Sequence, residues 1–144
     1  MFIGLDSFEG LPEKGGDTDK GTFNVNGEIP EIEDPRISYI KGWFQSTWFE
    51  LENNIKSQTS KIDNLKIIVH YDADLYSSTL FALTKIDSLK IPYIAIFDEF
   101  WGDEVRALYN YSKSYLPEIE FLHKTIQQNN YPAQIVVKIK PTNN

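Results

Sequence analysis

The 144-residue sequence predicts an α/β fold: a mostly parallel sheet with helices on both faces and a closing antiparallel hairpin. Three observations carry that expectation. Short apolar runs, "FIGL", "ISYI", "KIIVHY" and "IPYIAIF", are bounded by Gly, Asp and Pro and read as strands. The later ones alternate with stretches whose apolar residues recur at helical spacing, the pattern of parallel strands joined by crossovers. The last two runs, "EIEFLHKTI" and "AQIVVKIKP", flank "QQNNYP" with no helix between them, and so read as a hairpin that adds antiparallel strands.

Taken in order, the first strand covers Phe2–Leu5 and breaks at Asp6. Residues 12–36 are rich in Gly, Pro, Asp and Glu and read as a long acidic loop; a loop of that length is usually functional or mobile. A second strand begins at Ile37 and ends at Gly42. The helix after it should start at Thr47, because Thr47-Trp48-Phe49-Glu50 fits a capping box. Trp48, Leu51 and Ile55 would form its apolar face. The third strand runs from Leu65 to Tyr71, and Ser77, Ser78 and Thr79 offer N-caps to the next helix. That helix keeps Leu80, Leu83, Ile86 and Leu89 on one face. A fourth strand ends at Asp98 and Glu99. Asp103–Tyr115 then reads as a helix with Val105, Leu108, Tyr109 and Ser112 along one side. No repeat and no second domain is visible, so residues 1–144 read as one domain.

Composition narrows the function. The formal charge is −7, with Arg36 and Arg106 the only arginines. Nucleic acid and anionic membrane surfaces both need basic faces, which this balance argues against. The absence of cysteine removes disulfides and thiolate metal sites. No apolar run approaches the ~20 residues of a membrane span. "MFIGLDSFEG" lacks the pattern of a signal peptide, so the expected compartment is the cytoplasm.

The stretch "KIIVHYDADLYSST" concentrates the chemistry. Asp72 and Asp74 follow a buried run one residue apart, where strand alternation would aim them alike. At about 4 Å and an effective dielectric near 20, their repulsion is roughly 4 kcal/mol. Ligands of open parallel sheets bind beyond the carboxyl ends of the strands. Asp6, Gly42, Asp72 with Asp74, and Asp98 with Glu99 all fall at such ends. Hard oxygen donors from separate strands suit magnesium, manganese or calcium better than zinc. Asp72, Asp98 and Glu99 are therefore the candidate metal ligands. Spacing alone also allows these carboxylates to be N-caps and solvated loop residues.

"LDSFEGLPE", "GTF", "KGWFQST", "HYDADLYSST" and "FDEFWG" occur in the order and approximate spacing of class I S-adenosylmethionine-dependent methyltransferases. The chain most resembles the macrocin-type O-methyltransferases, which methylate sugar hydroxyls of macrolide-like products. The resemblance covers almost the whole chain and implies a Rossmann-like sheet ending in the hairpin. It places Asp6, with Ser7, at the cofactor ribose and Gly42 with Trp43 near the adenine. It gives Asp72, Asp98 and Glu99 to a divalent cation, magnesium or another, and makes the 12–36 loop a lid over the site. It implies a small hydroxylated acceptor as partner. The family's first strand and glycine-rich turn have no counterpart here. That absence leaves three readings, a fragment of a longer product, a front half supplied by another chain, or a degenerate relative; a fragment is expected, with Phe2–Leu5 and Lys66–Tyr71 facing a gap. Open edges of that kind favour self-association.

The family's base has no obvious counterpart. His70 and His123 are expected to pack in the structure, which leaves Asp74, beside Asp72, or a metal-bound hydroxide as candidate proton acceptor. Of Trp43, Phe44, Trp48 and Phe49, half are expected in the core and half in a pocket. Asp17, Asp19 and Glu28 follow an EF-hand count, but Thr22 stands where that loop needs glycine. Two rival functions remain. Asp72-Ala73-Asp74 is also the D-x-D of metal-dependent glycosyltransferases, and a truncated relative could bind a partner without catalysis.

Overall fold

The computed structural model describes residues 1–127 and 132–142, which form an α/β structure with mixed strand pairing. The tip expected for the hairpin, in "QQNNYP", lies largely outside the described residues. The chain divides into two compact units, Met1–Asp63 and Asn64–Asn144.

In the first unit, β1 (Phe2–Asp6) and β2 (Ile37–Lys41) pair in parallel, with Asp6 opposite Lys41. The connection between them is held by its own backbone. The Leu11 amide donates to the Thr22 carbonyl at 3.0 Å, and the Phe8 carbonyl accepts the amides of Val25 and Gly27. Phe8 and Leu11 are buried beneath it. Gly10 is required there: its φ is +77°, and a Cβ would stand 2.4 Å from the Thr22 carbonyl oxygen. Helix α1 (Phe44–Thr59) starts three residues before the expected Thr47. The capping box does not form, because Trp43 takes the N-cap position in extended conformation and Thr47 lies inside the helix. Thr47 Oγ1 instead donates back to the Trp43 carbonyl at 3.1 Å. Trp48, Leu51 and Ile55 do lie on the less exposed side, whereas Phe49 is exposed.

The second unit holds β3 (Ile67–Tyr71), α2 (Tyr76–Asp87), β4 (Tyr93–Phe97), α3 (Asp103–Tyr115), β5 (Glu118–Ile126) and β6 (Pro132–Lys140). The strand order is β3-β4-β6-β5, with β3 and β4 parallel and the other two pairs antiparallel. The last strand thus returns between β4 and β5, and the sheet is mixed rather than mostly parallel. Residues opposite one another share a face. Tyr93, Ala95 and Phe97 stand with Val137 and Ile139 on the buried face. Tyr111 of α3 and Asp87 of α2 pack on that same side: Tyr71 feels Tyr111, and Tyr93 feels Asp87.

Both helices therefore cover one face, and no helix of this unit covers the other. Within this unit, α2 and α3 do not flank the sheet on both sides. Ile68, Ile94, Ile96 and Val136 line the uncovered face, with Ile68 63% exposed. The predicted start of β3 at Leu65 moves to Ile67. Ser77, Ser78 and Thr79 lie within α2, whose N-cap is Leu75, so none of them caps it. The buried side of α3 is Glu104, Ala107, Leu108 and Tyr111; Val105 and Tyr109 are exposed. The helix bounds match expectation, but the face is turned by one residue, about 100°.

A buried polar chain ties the helices together. Tyr111 Oη donates to Asp87 Oδ1 at 2.7 Å, and Lys90 Nζ donates to Asp87 Oδ2 at 2.7 Å. Beside it the Tyr71 and Tyr93 hydroxyls meet at 3.1 Å, and the Tyr71 ring stacks on Phe97. Asp87 is 1% exposed, so loss of a donor strands a buried carboxylate oxygen. Tyr111→Phe should therefore cost about 1–3 kcal/mol in urea unfolding. The exposed Tyr109→Phe control should stay within about 0.5 kcal/mol; equal effects would rule out this role for the Asp87 bond.

Candidate functional site

Each unit ends its parallel strands in a polar cluster. In the first, Asp6 and Gly42 stand together, because the Gly42 amide donates to the Asp6 carbonyl at 2.9 Å. Gly42 has φ +142°, and a Cβ there would meet Thr47 Cγ2 at 2.9 Å. Glycine is thus what lets β2 turn into α1 beside Asp6. Asp6 Oδ1 accepts the Phe8 amide at 2.6 Å, and the Asp6 residue is exposed. Ser7 is buried and its hydroxyl accepts the Glu9 amide at 3.1 Å, so its side chain serves the turn. Trp43 follows Gly42 with its ring partly exposed.

The second cluster follows β3 and β4. Tyr71 pairs with Phe97, and the Asp98 amide donates to the Tyr71 carbonyl at 3.0 Å, one step beyond the strands. That pairing brings Asp72 and Asp74 to Asp98 and Glu99. Asp74 adopts φ +55°, a left-handed conformation that Asp tolerates better than most residues. Burial raises the Asp74 carboxyl above its usual range, and Asp72 and Asp98 push it further. Glu99 is raised by burial, then by Asp74, Asp98 and Asp72. The cluster is electrostatically coupled and short of positive charge.

Glu104, in the first turn of α3, is the member that sequence reading missed. It is 2% exposed and buried in the first turn of the helix. Burial pushes it up to about 8, with the Ala73 and Glu99 backbones acting against that rise and Asp72 and Asp74 adding repulsion. Its Oε2 has no hydrogen-bond partner among the described residues. A signal was present: Glu104 lies three, four and seven residues before Ala107, Leu108 and Tyr111, a carboxylate on an otherwise apolar stripe.

The two histidines depart from expectation, since neither is packed. His70 is half exposed on the uncovered sheet face, with Nε2 3.4 Å from Asp98 Oδ1. The same oxygen accepts a short hydrogen bond from Gln134 Nε2. His123 is exposed on β5. The strand places them outside the core because His70 shares its face with Ile96 and Val136, which no helix of the unit covers. Beside Phe100 lies an open groove of about 600 Å³, lined by Phe121, Leu122, His123, Lys124, Pro132 and Ile135.

The donor set suits a hard cation in chemistry: Asp74 and Glu99 are raised by burial and then by neighbouring carboxylates, and a divalent ion would relieve that repulsion. As they stand, no three acidic or histidine side chains among the described residues are grouped closely enough to hold a metal. Asp98 Oδ1 is engaged by Gln134, so ligation needs these side chains to turn. No helix among the described residues is long and apolar enough to cross a membrane. Comparison with protein-family models, curated proteins and solved structures finds no match.

Glu104 makes stability depend on pH. A carboxyl raised in the folded state binds its proton more tightly there than in the unfolded chain. Stability is then lost as pH rises from about 4.5 towards about 8. The slope reaches at most about 1.4 kcal/mol per pH unit. Urea unfolding of the wild type should weaken across that window, and Glu104→Gln should flatten the curve. Parallel curves for the two proteins would contradict the assignment.

Proposed function

We propose that this chain is an S-adenosylmethionine-dependent, divalent-metal-assisted O-methyltransferase, or part of one. Its acceptor would be a hydroxyl of a sugar or another small natural product. The observation that carries the reading is the meeting of Asp72 and Asp74 with Asp98 and Glu99 at the carboxyl ends of two adjacent parallel strands. Supporting it are Asp6 beside Gly42 at the corresponding end of β1 and β2, and the antiparallel hairpin that completes the second sheet. The five linked sequence motifs supply the methyltransferase chemistry.

In this reading the residues divide the work. The Asp6 carboxylate accepts hydrogen bonds from a ribose diol, while Oδ1 also keeps the turn to Phe8. Gly42 leaves room for the base, and Trp43 offers it an aromatic surface. Asp72, Asp98 and Glu99 would hold the cation, whose chemistry there would be to lower the pKa of an acceptor hydroxyl. Asp74, raised by burial and its neighbours, is placed to take the released proton. The groove lined by Phe100, which follows Asp98 and Glu99 in the chain, would offer an apolar surface for the body of the acceptor. Positioning the hydroxyl against the sulfonium methyl then supplies much of the rate.

Thermal melting tests this directly, since ligands that bind only the folded state raise the midpoint. S-adenosylhomocysteine should raise it, and magnesium should raise it further. Asp6→Asn keeps the acceptor for Phe8 but removes the charge, and should weaken S-adenosylhomocysteine about tenfold or more. A shift with nucleotide-sugars and none with S-adenosylhomocysteine would replace this reading with the glycosyltransferase-like one. Indifference to all of them would favour a non-catalytic chain.

A further inference from the structure

We infer that the groove lined by β5 and β6 binds a small molecule with an apolar ring body and an anionic group, whose charge is met by Lys124. As a statement about the methyl acceptor this rests on the function proposed above; the binding itself needs neither cofactor nor cation.

The groove exists because β5 leaves its regular register. Phe121 and Lys124 are three residues apart, and strict alternation would send them to opposite faces of the sheet. Yet Phe121 stands opposite Val137 and Lys124 opposite Ile135, two β6 residues that share a face. Between Phe121 and His123, β5 advances two residues while β6 advances one, so Leu122 is the extra residue of a bulge. Between Lys124 and Ile126 the irregularity passes to β6, where the Gln134 amide donates to Thr125 Oγ1 at 3.0 Å. Phe121, Leu122, His123 and Lys124 thereby all line one groove of about 600 Å³. That volume suits a small molecule.

Its floor is held in place. Ile135 is 3% exposed and lies between Phe97 and Lys124 in the ladder. The Phe97 ring meets Phe100 edge-on at 5.8 Å, and the Phe100 amide donates to the Ala133 carbonyl at 2.9 Å. On the wall, Phe121 is 67% exposed and Leu122 46%. A fixed apolar floor beside exposed apolar walls favours burial of a ring body. Charge decides the rest. No carboxylate lines the groove, and Lys124 makes no ion pair among the described residues. An unopposed ammonium in an apolar groove, on a chain of formal charge −7, favours an anion over its neutral counterpart.

The test uses 2-naphthoate and its uncharged counterpart 2-naphthalenemethanol, titrated into the whole chain without cofactor or metal and followed by NMR. Naphthoate should bind saturably, with amide shifts largest at residues 121–124 and 135. It should bind about fivefold more tightly than the alcohol. Lys124→Gln should bring naphthoate down to the affinity of the alcohol and leave the alcohol unchanged, while Lys124→Arg should restore the difference. Equal affinity of the two probes for wild type overturns the inference. So do equal losses of both in Lys124→Gln, and shifts centred away from the groove. Shifts at residues 121–124 on raising protein concentration alone would assign the groove to a second copy of the chain, and likewise overturn it. S-adenosylhomocysteine is titrated separately. Naphthoate binding without a response to S-adenosylhomocysteine keeps the groove's specificity and removes only its link to methyl transfer. The reverse result overturns the groove inference alone.

Discussion

The parallel register of β3 on β4 is the constraint from which the rest of the second unit follows. With Tyr71 opposite Phe97, the residues after each strand must emerge side by side. Those residues are Asp72, Asp74, Asp98 and Glu99, so the ladder itself forces like charges together. Such crowding is unfavourable on Coulomb grounds unless another interaction holds the segments or a cation offsets the charge. Within the chain, the Asp98 amide on the Tyr71 carbonyl holds the segments, but it supplies no positive charge. Gln134 and His70 reach only Asp98. This remaining imbalance is what the proposed cation would offset.

The opposite requirement, a rigid base for that crowded end, is met beneath the sheet. Tyr71, Tyr93, Phe97 and Tyr111 are buried side by side, and Asp87 accepts from Tyr111 and Lys90. Buried aromatic groups with partnered hydroxyls contribute area and fixed orientation together. The helices lie on this side alone. The sheet's other side, with Ile68 exposed and Ile94, Ile96 and Val136 partly so, contributes far less burial per residue. Stability in this unit therefore rests on one face, and polar chemistry stands at the end of both.

Much of this was legible in the sequence, for reasons that differ by residue. Strand ends were readable because Ile67–Tyr71 and Tyr93–Phe97 are apolar runs that stop at Asp72 and Asp98. The α3 bounds were readable from Gly102 and the amphipathic run after it. Its buried face was not, because hydropathy ranks Val105 and Tyr109 above Glu104, whereas the helix turns Glu104 inward with Ala107, Leu108 and Tyr111. The start of α1 was misplaced because the Thr47–Glu50 pattern is local. The turn at Gly42 and the Trp43 carbonyl, which accepts the Ser46 and Thr47 amides, set the true start. His70 was misread because alternation places a residue on a face without saying whether anything covers it.

Paramagnetic broadening by Mn²⁺ in the NMR spectrum of the whole chain tests the central claim most directly, since it reports where a cation sits. The account predicts saturable broadening strongest at residues 72–74 and 98–99. It also predicts that broadening is lost when Asp72 and Glu99 are both changed to their amides. Broadening spread over the acidic 12–36 loop, or growing without saturation, would contradict the claim that these strand ends form a cation site.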